Sequence, residues 1–135
     1  GDFDGDRKLD AAVFRPSNET WYILQSSSGD YRFDYWGLAT DKFVPADYDA
    51  DGKSDLAVFR DGVWYIKQSS DGAEKYLQFG LADDVPVPAD YNGDIGDEIA
   101  VFRDGVWYLL MPDGAVKYQT FGVSTDSPVA GAYLR

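Results

Sequence analysis

The chain has no cysteine, no histidine and a single methionine among its 135 residues. Without cysteine there are neither disulfides nor thiolate metal sites. Without histidine the commonest general base and transition-metal ligand are both missing. Basic residues are scarce: 12 Lys and Arg stand against 24 Asp and Glu, a formal net charge of −12. That balance disfavours nucleic acid and anionic membranes as partners. No apolar run approaches the length of a membrane-spanning helix, so no membrane insertion is expected. Long stretches of helical periodicity are absent too. Tyr, Trp, Phe, Gly and Asp are abundant instead. The length suits one domain, or a piece of one, with a real core.

The acids are patterned. Asp47-Tyr48-Asp49-Ala50-Asp51-Gly52-Lys53-Ser54-Asp55 puts carboxylates at loop positions 1, 3, 5 and 9, with Gly at 6. Alternate spacing lets a tight loop turn every second side chain towards one centre. A hard cation such as calcium takes about six to eight oxygens from carboxylates, backbone carbonyls and water. Gly at position 6 permits a sharp turn with positive φ. Without a cation the acids repel: a like-charge pair near 4 Å costs about 4 kcal/mol at an effective dielectric of 20. The pattern recurs at Asp2, Asp4, Asp6 and Asp10, and at Asp90, Asn92, Asp94 and Glu98. One copy alone has an ordinary reading as an acidic surface turn. Three copies in one phase favour a metal loop. It is not an EF-hand, because Val13, Val58 and Val101 stand where that loop needs a bidentate Glu.

The loops mark an internal repeat of 43–45 residues: 1–46, 47–89 and 90–126, with 127–135 left over. Ala12-Val13-Phe14-Arg15 matches Ala57-Val58-Phe59-Arg60 and Ala100-Val101-Phe102-Arg103. Trp21-Tyr22 matches Trp64-Tyr65 and Trp107-Tyr108, and Trp36-Gly37 matches Phe79-Gly80 and Phe121-Gly122. Each unit reads as four short strands, exemplified by A (Asp84 to Ala89), B (Leu56 to Arg60), C (Val63 to Gln68) and D (Lys75 to Phe79). Asp61-Gly62 and Asp104-Gly105 are type I′ turns, which set Phe59 opposite Trp64 and Phe102 opposite Trp107. Pro16-Ser17-Asn18-Glu19 replaces the tight turn in the first unit. Pro86 and Pro88 suit an edge strand. Strands B and C are apolar on both faces, so both faces are expected to be packed. The fold class is therefore all-β, a β-propeller of four-stranded antiparallel blades.

The strand phase is B-C-D, A-B-C-D, A-B-C-D, then a lone strand A at Ser127 to Tyr133. The first blade lacks strand A and the last strand A is spare. Its following loop has decayed, with Ala132 and Leu134 at acid positions, which places Arg135 near a natural end. Gly1 lies directly before a loop, as in a processed or excised chain. Three blades cannot close a ring of about four to eight. The chain is expected to be part of a longer propeller, or a homo-oligomer in which the spare strand adds to blade one of a neighbour.

Residues 47–60, with Trp64-Tyr65 and Phe79-Gly80, resemble the FG-GAP repeats of bacterial secreted proteins, often described as VCBS repeats and similar to integrin α-subunit propeller blades. The resemblance covers essentially the whole chain. It implies one calcium ion in each A–B loop. Side-chain ligands by position are Asp47, Asp49, Asp51 and Asp55, with the carbonyl of Lys53. In the first loop they are Asp2, Asp4, Asp6 and Asp10, with the carbonyl of Lys8. In the third they are Asp90, Asn92, Asp94 and Glu98, with the carbonyl of Gly96. Arg7 and Ile95 replace Gly at position 6, and Gly96 is expected to restore the turn in the third loop. That loop is expected to be the weakest site.

The resemblance implies a secreted or cell-surface, non-catalytic scaffold that binds or adheres to an extracellular protein or glycan. Tyr31, Tyr35 and Trp36 are candidates to stack on sugars; as blade-packing residues they would instead be buried. Structural self-assembly through the spare strand is the alternative. Catalysis is not expected, since the conspicuous acids belong to the loops and no nucleophile–base pair stands out. Asn18-Glu19-Thr20 is an acceptor sequon for a glycan on Asn18. Arg15, Arg60 and Arg103 are expected to cap strands and pair with acids.

Overall fold

The computed structural model describes residues 1–130. It is all-β, with no helix among the described residues. Sheet 1 holds β1 (Ala11–Arg15), β2 (Thr20–Leu24) and β3 (Tyr31–Tyr35). Sheet 2 holds β4 (Lys42–Phe43), β5 (Leu56–Arg60), β6 (Val63–Lys67) and β7 (Glu74–Gln78). Sheet 3 holds β8 (Val85–Pro86), β9 (Ile99–Arg103), β10 (Val106–Leu110) and β11 (Val116–Thr120). Each sheet runs in chain order, and every pairing is antiparallel. Through β11 the strand phase is the one read from the sequence.

The turns set the register. Asp61 and Gly62 have φ of 52° and 82°, and Asp104 and Gly105 have 51° and 81°. Positive φ at both central residues defines a type I′ turn, whose twist matches that of the strands. Phe59 therefore faces Trp64, and Phe102 faces Trp107, each pair edge-to-face at 5.3 Å. Pairs of this kind contribute about 0.2–1 kcal/mol each. The longer 16–19 link preserves the same match, Phe14 with Trp21. Each Trp indole N–H then donates to a carbonyl just past the outer strand, at Trp36, Phe79 and Phe121.

Strand boundaries differ from expectation in four places. The A strands are shorter: β8 ends at Pro86 and resumes only as the Val87 N–H to Ala100 bond and an isolated bridge from Ala89 to Glu98. Pro86 and Pro88 alternate with Val87 and Ala89, whose N–H groups face β9, so the missing N–H groups fall on the open edge of the strand. The strand expected to end at Gln68 ends at Lys67, and the one expected over Lys75 to Phe79 lies one residue earlier. Residues 127–130 form no strand, because no strand among the described residues lies beside them to supply a ladder. The rest of the expected terminal strand, including Ala132 and Leu134, lies outside the described residues.

The sheets stack face to face. Leu56 and Val58 of β5 pack with Phe3, Trp21 and Ile23 of the first unit. Ala57 and Phe59, on the other face of β5, pack with Trp64, Ile66 and Val101. Successive side chains of a strand point to opposite faces, so the apolar run of β5 is explained by a neighbour on each side. Trp36 crosses between sheets, its indole donating to the Tyr65 carbonyl at 3.1 Å. Gly37 and Gly80 have φ of 85° and 104°, and a Cβ on either would press on Val58 or Val101 of the next sheet. Among the described residues the stack is open at both ends.

Candidate metal centre

The second and third acidic loops each follow a short A strand, and all three lead into strand B. Position 9 closes the loop. Its carboxylate accepts the N–H of position 2: Phe3 to Asp10 at 2.7 Å, Tyr48 to Asp55 at 2.9 Å, Tyr91 to Glu98 at 2.8 Å. Position 1 gathers the loop's own amides, Gly5 and Arg7 on Asp2, Asp51 and Gly52 on Asp47, Gly93 on Asp90. These bonds draw the acids inward, because each N–H offsets part of the charge repulsion.

In two loops the result is a triad. Asp2, Asp4 and Asp10 bring one carboxylate oxygen each within 4.8 Å of one another, and Asp47, Asp49 and Asp55 do the same. Positions 1, 3 and 9 thus converge as expected. Asp6 and Asp51, at position 5, stand outside these triads. They accept the N–H of Lys8 and Lys53. The Lys8 and Lys53 N–H groups thus help to hold the position-5 acids.

Serines complete the arrangement, and sequence reasoning missed them. Ser26 and Ser27 donate hydroxyl protons to Asp6 and Asp4. Ser69 and Ser70 do the same to Asp51 and Asp49. The N–H groups of Ser26 and Ser69 donate to Asp10 and Asp55, both at 2.7 Å. The signal was present: both Ser-Ser pairs sit at the C–D turn, 43 residues apart.

The third loop departs. Pro112 and Asp113 occupy the serine places, supplying neither hydroxyl and, at Pro112, no N–H. The Asn92 amide nitrogen donates to Glu98 at 2.6 Å and to Asp94 at 2.8 Å. It fills with a donor the space where the other loops hold converging oxygens. Asp90, Asn92, Asp94 and Glu98 form no carboxylate triad among the described residues. Gly96 does not restore a left-handed turn; its N–H donates to Asp94, and a Cβ there would lie 3.3 Å from that of Ala50. Arg7, by contrast, adopts φ 69° at position 6. Position 4 is left-handed in all three loops, at Gly5, Ala50 and Gly93.

Burial sets the charge state. Asp55 is fully buried, and desolvation pushes its pKa up to about 6 despite the Ser69 and Tyr48 hydrogen bonds. Desolvation also raises Asp47 and Glu98. The Ser27 hydroxyl holds exposed Asp4 below its ordinary value. A buried carboxylate that ionises only reluctantly gains most from a cation beside it. The converging oxygens of the first two loops fit a hard cation.

Straps join the loops. The N–H of position 8 donates to the position-1 carbonyl of the preceding loop, Ser54 to Asp2 at 2.6 Å and Asp97 to Asp47 at 2.7 Å. Position 1 returns a bond, Asp2 N–H to Ser54 Oγ and Asp47 N–H to Asp97.

Elsewhere, Arg60 and Arg103 fork onto Asp41 and Asp84, as expected of them. Arg15 has no such carboxylate among the described residues and lies over the Tyr22 ring at 4.3 Å. Tyr31 and Tyr35 are exposed, whereas Trp36 packs between sheets. Asn18 is exposed in the β1–β2 turn, its amide donating to Tyr22 Oη. Comparison of the chain with protein-family models, with curated proteins and with solved structures finds no match.

Proposed function

We propose that the chain is a calcium-binding module of β-propeller blades of the FG-GAP kind, acting outside the cell as a non-catalytic scaffold for a protein or glycan. The observation that carries this reading is the pair of hydrogen-bonded carboxylate triads, Asp2/Asp4/Asp10 and Asp47/Asp49/Asp55. The blade arrangement is supported by the way the inner strands converge. Phe43–Pro45, Val85–Pro88 and Pro128 with Ala130 line one cavity of about 220 Å³. Exposed Tyr31 and Tyr35 on β3 offer stacking surface of the sort sugars use. The cation's role here is structural: it ties strand A to strand B, and binding energy becomes folding energy. Affinity of about 10⁻⁴–10⁻³ M suffices in extracellular fluid.

Thermal melts in millimolar calcium and in chelator test this. Calcium at 100 times its dissociation constant adds about 2.7 kcal/mol, a rise of several degrees. Identical melts in both media would remove the cation from the account. Self-assembly is a second reading, favoured by the missing neighbour of β1.

A further inference from the structure

Sheet 1 stops one strand short. β4 lies along β5 and β8 along β9, but among the described residues nothing lies along the edge of β1 away from β2. Val13 of β1 is 60% exposed, while its counterparts Val58 and Val101 are 0% and 1%. Ala12 is exposed where Ala57 and Ala100 are fully buried. A hollow of about 350 Å³ borders this edge, lined by Phe3, Ala12, Val13, Phe14 and Trp21.

The complement lies at the far end of the same chain. Asp126 accepts the Val123 N–H, as Asp41 accepts that of Leu38 and Asp84 that of Leu81. Asp41 and Asp84 go on to grip Arg60 and Arg103. Asp126 has no arginine among the described residues, and Arg15 has no acid. Gly37 seats on Val58 and Gly80 on Val101, but the nearest atoms to Gly122 belong to Asp126 and Phe102 of its own unit. Val129 is 92% exposed, whereas Val44 and Val87 are buried and donate their N–H groups to Ala57 and Ala100.

We infer that residues 123–130 of one copy supply the missing inner strand of sheet 1 in a second copy. By the register of the other two sheets, Ser127 falls opposite Phe14. Asp126 then forks onto Arg15, Gly122 seats on Val13, and the Val129 N–H meets the Ala12 carbonyl. A second copy is the occupant because charge, shape and main-chain register all match residues of this chain. The contact is head-to-tail, so it closes as a ring or continues as a filament. It rests on the reading of the three sheets as blades of one kind.

Charge reversal tests it. Light scattering after size exclusion, in calcium, is expected to give the wild-type chain a mass of two or more copies. Arg15→Asp alone and Asp126→Arg alone each place like charges together and weaken assembly about a hundredfold or more. An equimolar mixture of the two regains assembly, since each junction then holds one Arg and one Asp. Val129→Asp also blocks assembly, and no mixing with either variant repairs its own junction. All these side chains are exposed, and circular dichroism checks that each variant folds. A wild-type monomer at every concentration overturns the inference, as does a mixture that stays monomeric. Calcium melts run alongside keep the two readings apart. A monomer stabilised by calcium sinks only the strand exchange; rescue by mixing without any calcium response sinks only the metal.

Discussion

Asp55 shows how one side chain carries both the fold and the site. Its two oxygens hold the Tyr48 and Ser69 amides, so it locks the loop to the C–D turn. Its pKa is about 6 in the folded chain, against 3.8 ordinarily. With no cation bound, the folded state therefore holds the proton more tightly than the unfolded state. Stability falls as pH rises from about 4 to about 6, then levels, by up to about 3 kcal/mol. Asp47 and Glu98 add to this slope, whereas Asp34 and Asp84 are shifted down and act below about pH 4. Melts in chelator are thus expected to be higher at pH 5 than at pH 7. Asp55→Asn flattens that slope and reduces the gain from calcium. In calcium the slope reverses, because protons compete with the cation. A chelated chain more stable at pH 7 than at pH 5 would contradict the burial argument. The acids were legible in the sequence because their spacing repeats. The serines were not, because they belong to a different turn and reach the loop only through the fold.

At the scale of single elements, the Arg–Asp forks staple each inner strand to its sheet. Asp41 is buried behind Arg60, and Asp84 behind Arg103. Burial raises the pKa of Asp84, but the Arg103 and Leu81 hydrogen bonds and the charges of Arg103 and Lys42 together outweigh it and leave the group low. Its stabilising contribution is full above the ordinary carboxylate range and fades as pH falls through it. Arg60→Ala leaves a buried carboxylate without its cation and is expected to cost about 3 kcal/mol. Urea unfolding measures this, and a loss under about 0.5 kcal/mol, the scale of a surface pair, would show that the fork contributes little. Strands B and C could be read almost to the residue, since Asp-Gly turns fix both ends of the alternation. Strand A could not: only two residues of each pair as a strand, and the chain then follows its neighbour through a single bond and an isolated bridge. Gly96 misled because close packing on Ala50 and a left-handed turn both ask for glycine.

On the scale of the molecule, the three-sheet order was legible because each landmark recurs in phase. The open ends were legible only as a missing strand, and their chemistry emerged from Arg15 and Asp126. The same layout governs how the chain comes apart. Sheet 2 is covered on both faces, sheets 1 and 3 by the stack on one face each. Stability in such an array is close to a sum over neighbouring interfaces, so the ends fray before the middle. Amide hydrogen exchange on the monomer is expected to be slowest in β5 and β6 and fastest in β1 and β3. Strand exchange would change that ranking by turning an end into an interior. Protection of β1 that rises with protein concentration would then report, amide by amide, that a fragment of a line has found its continuation.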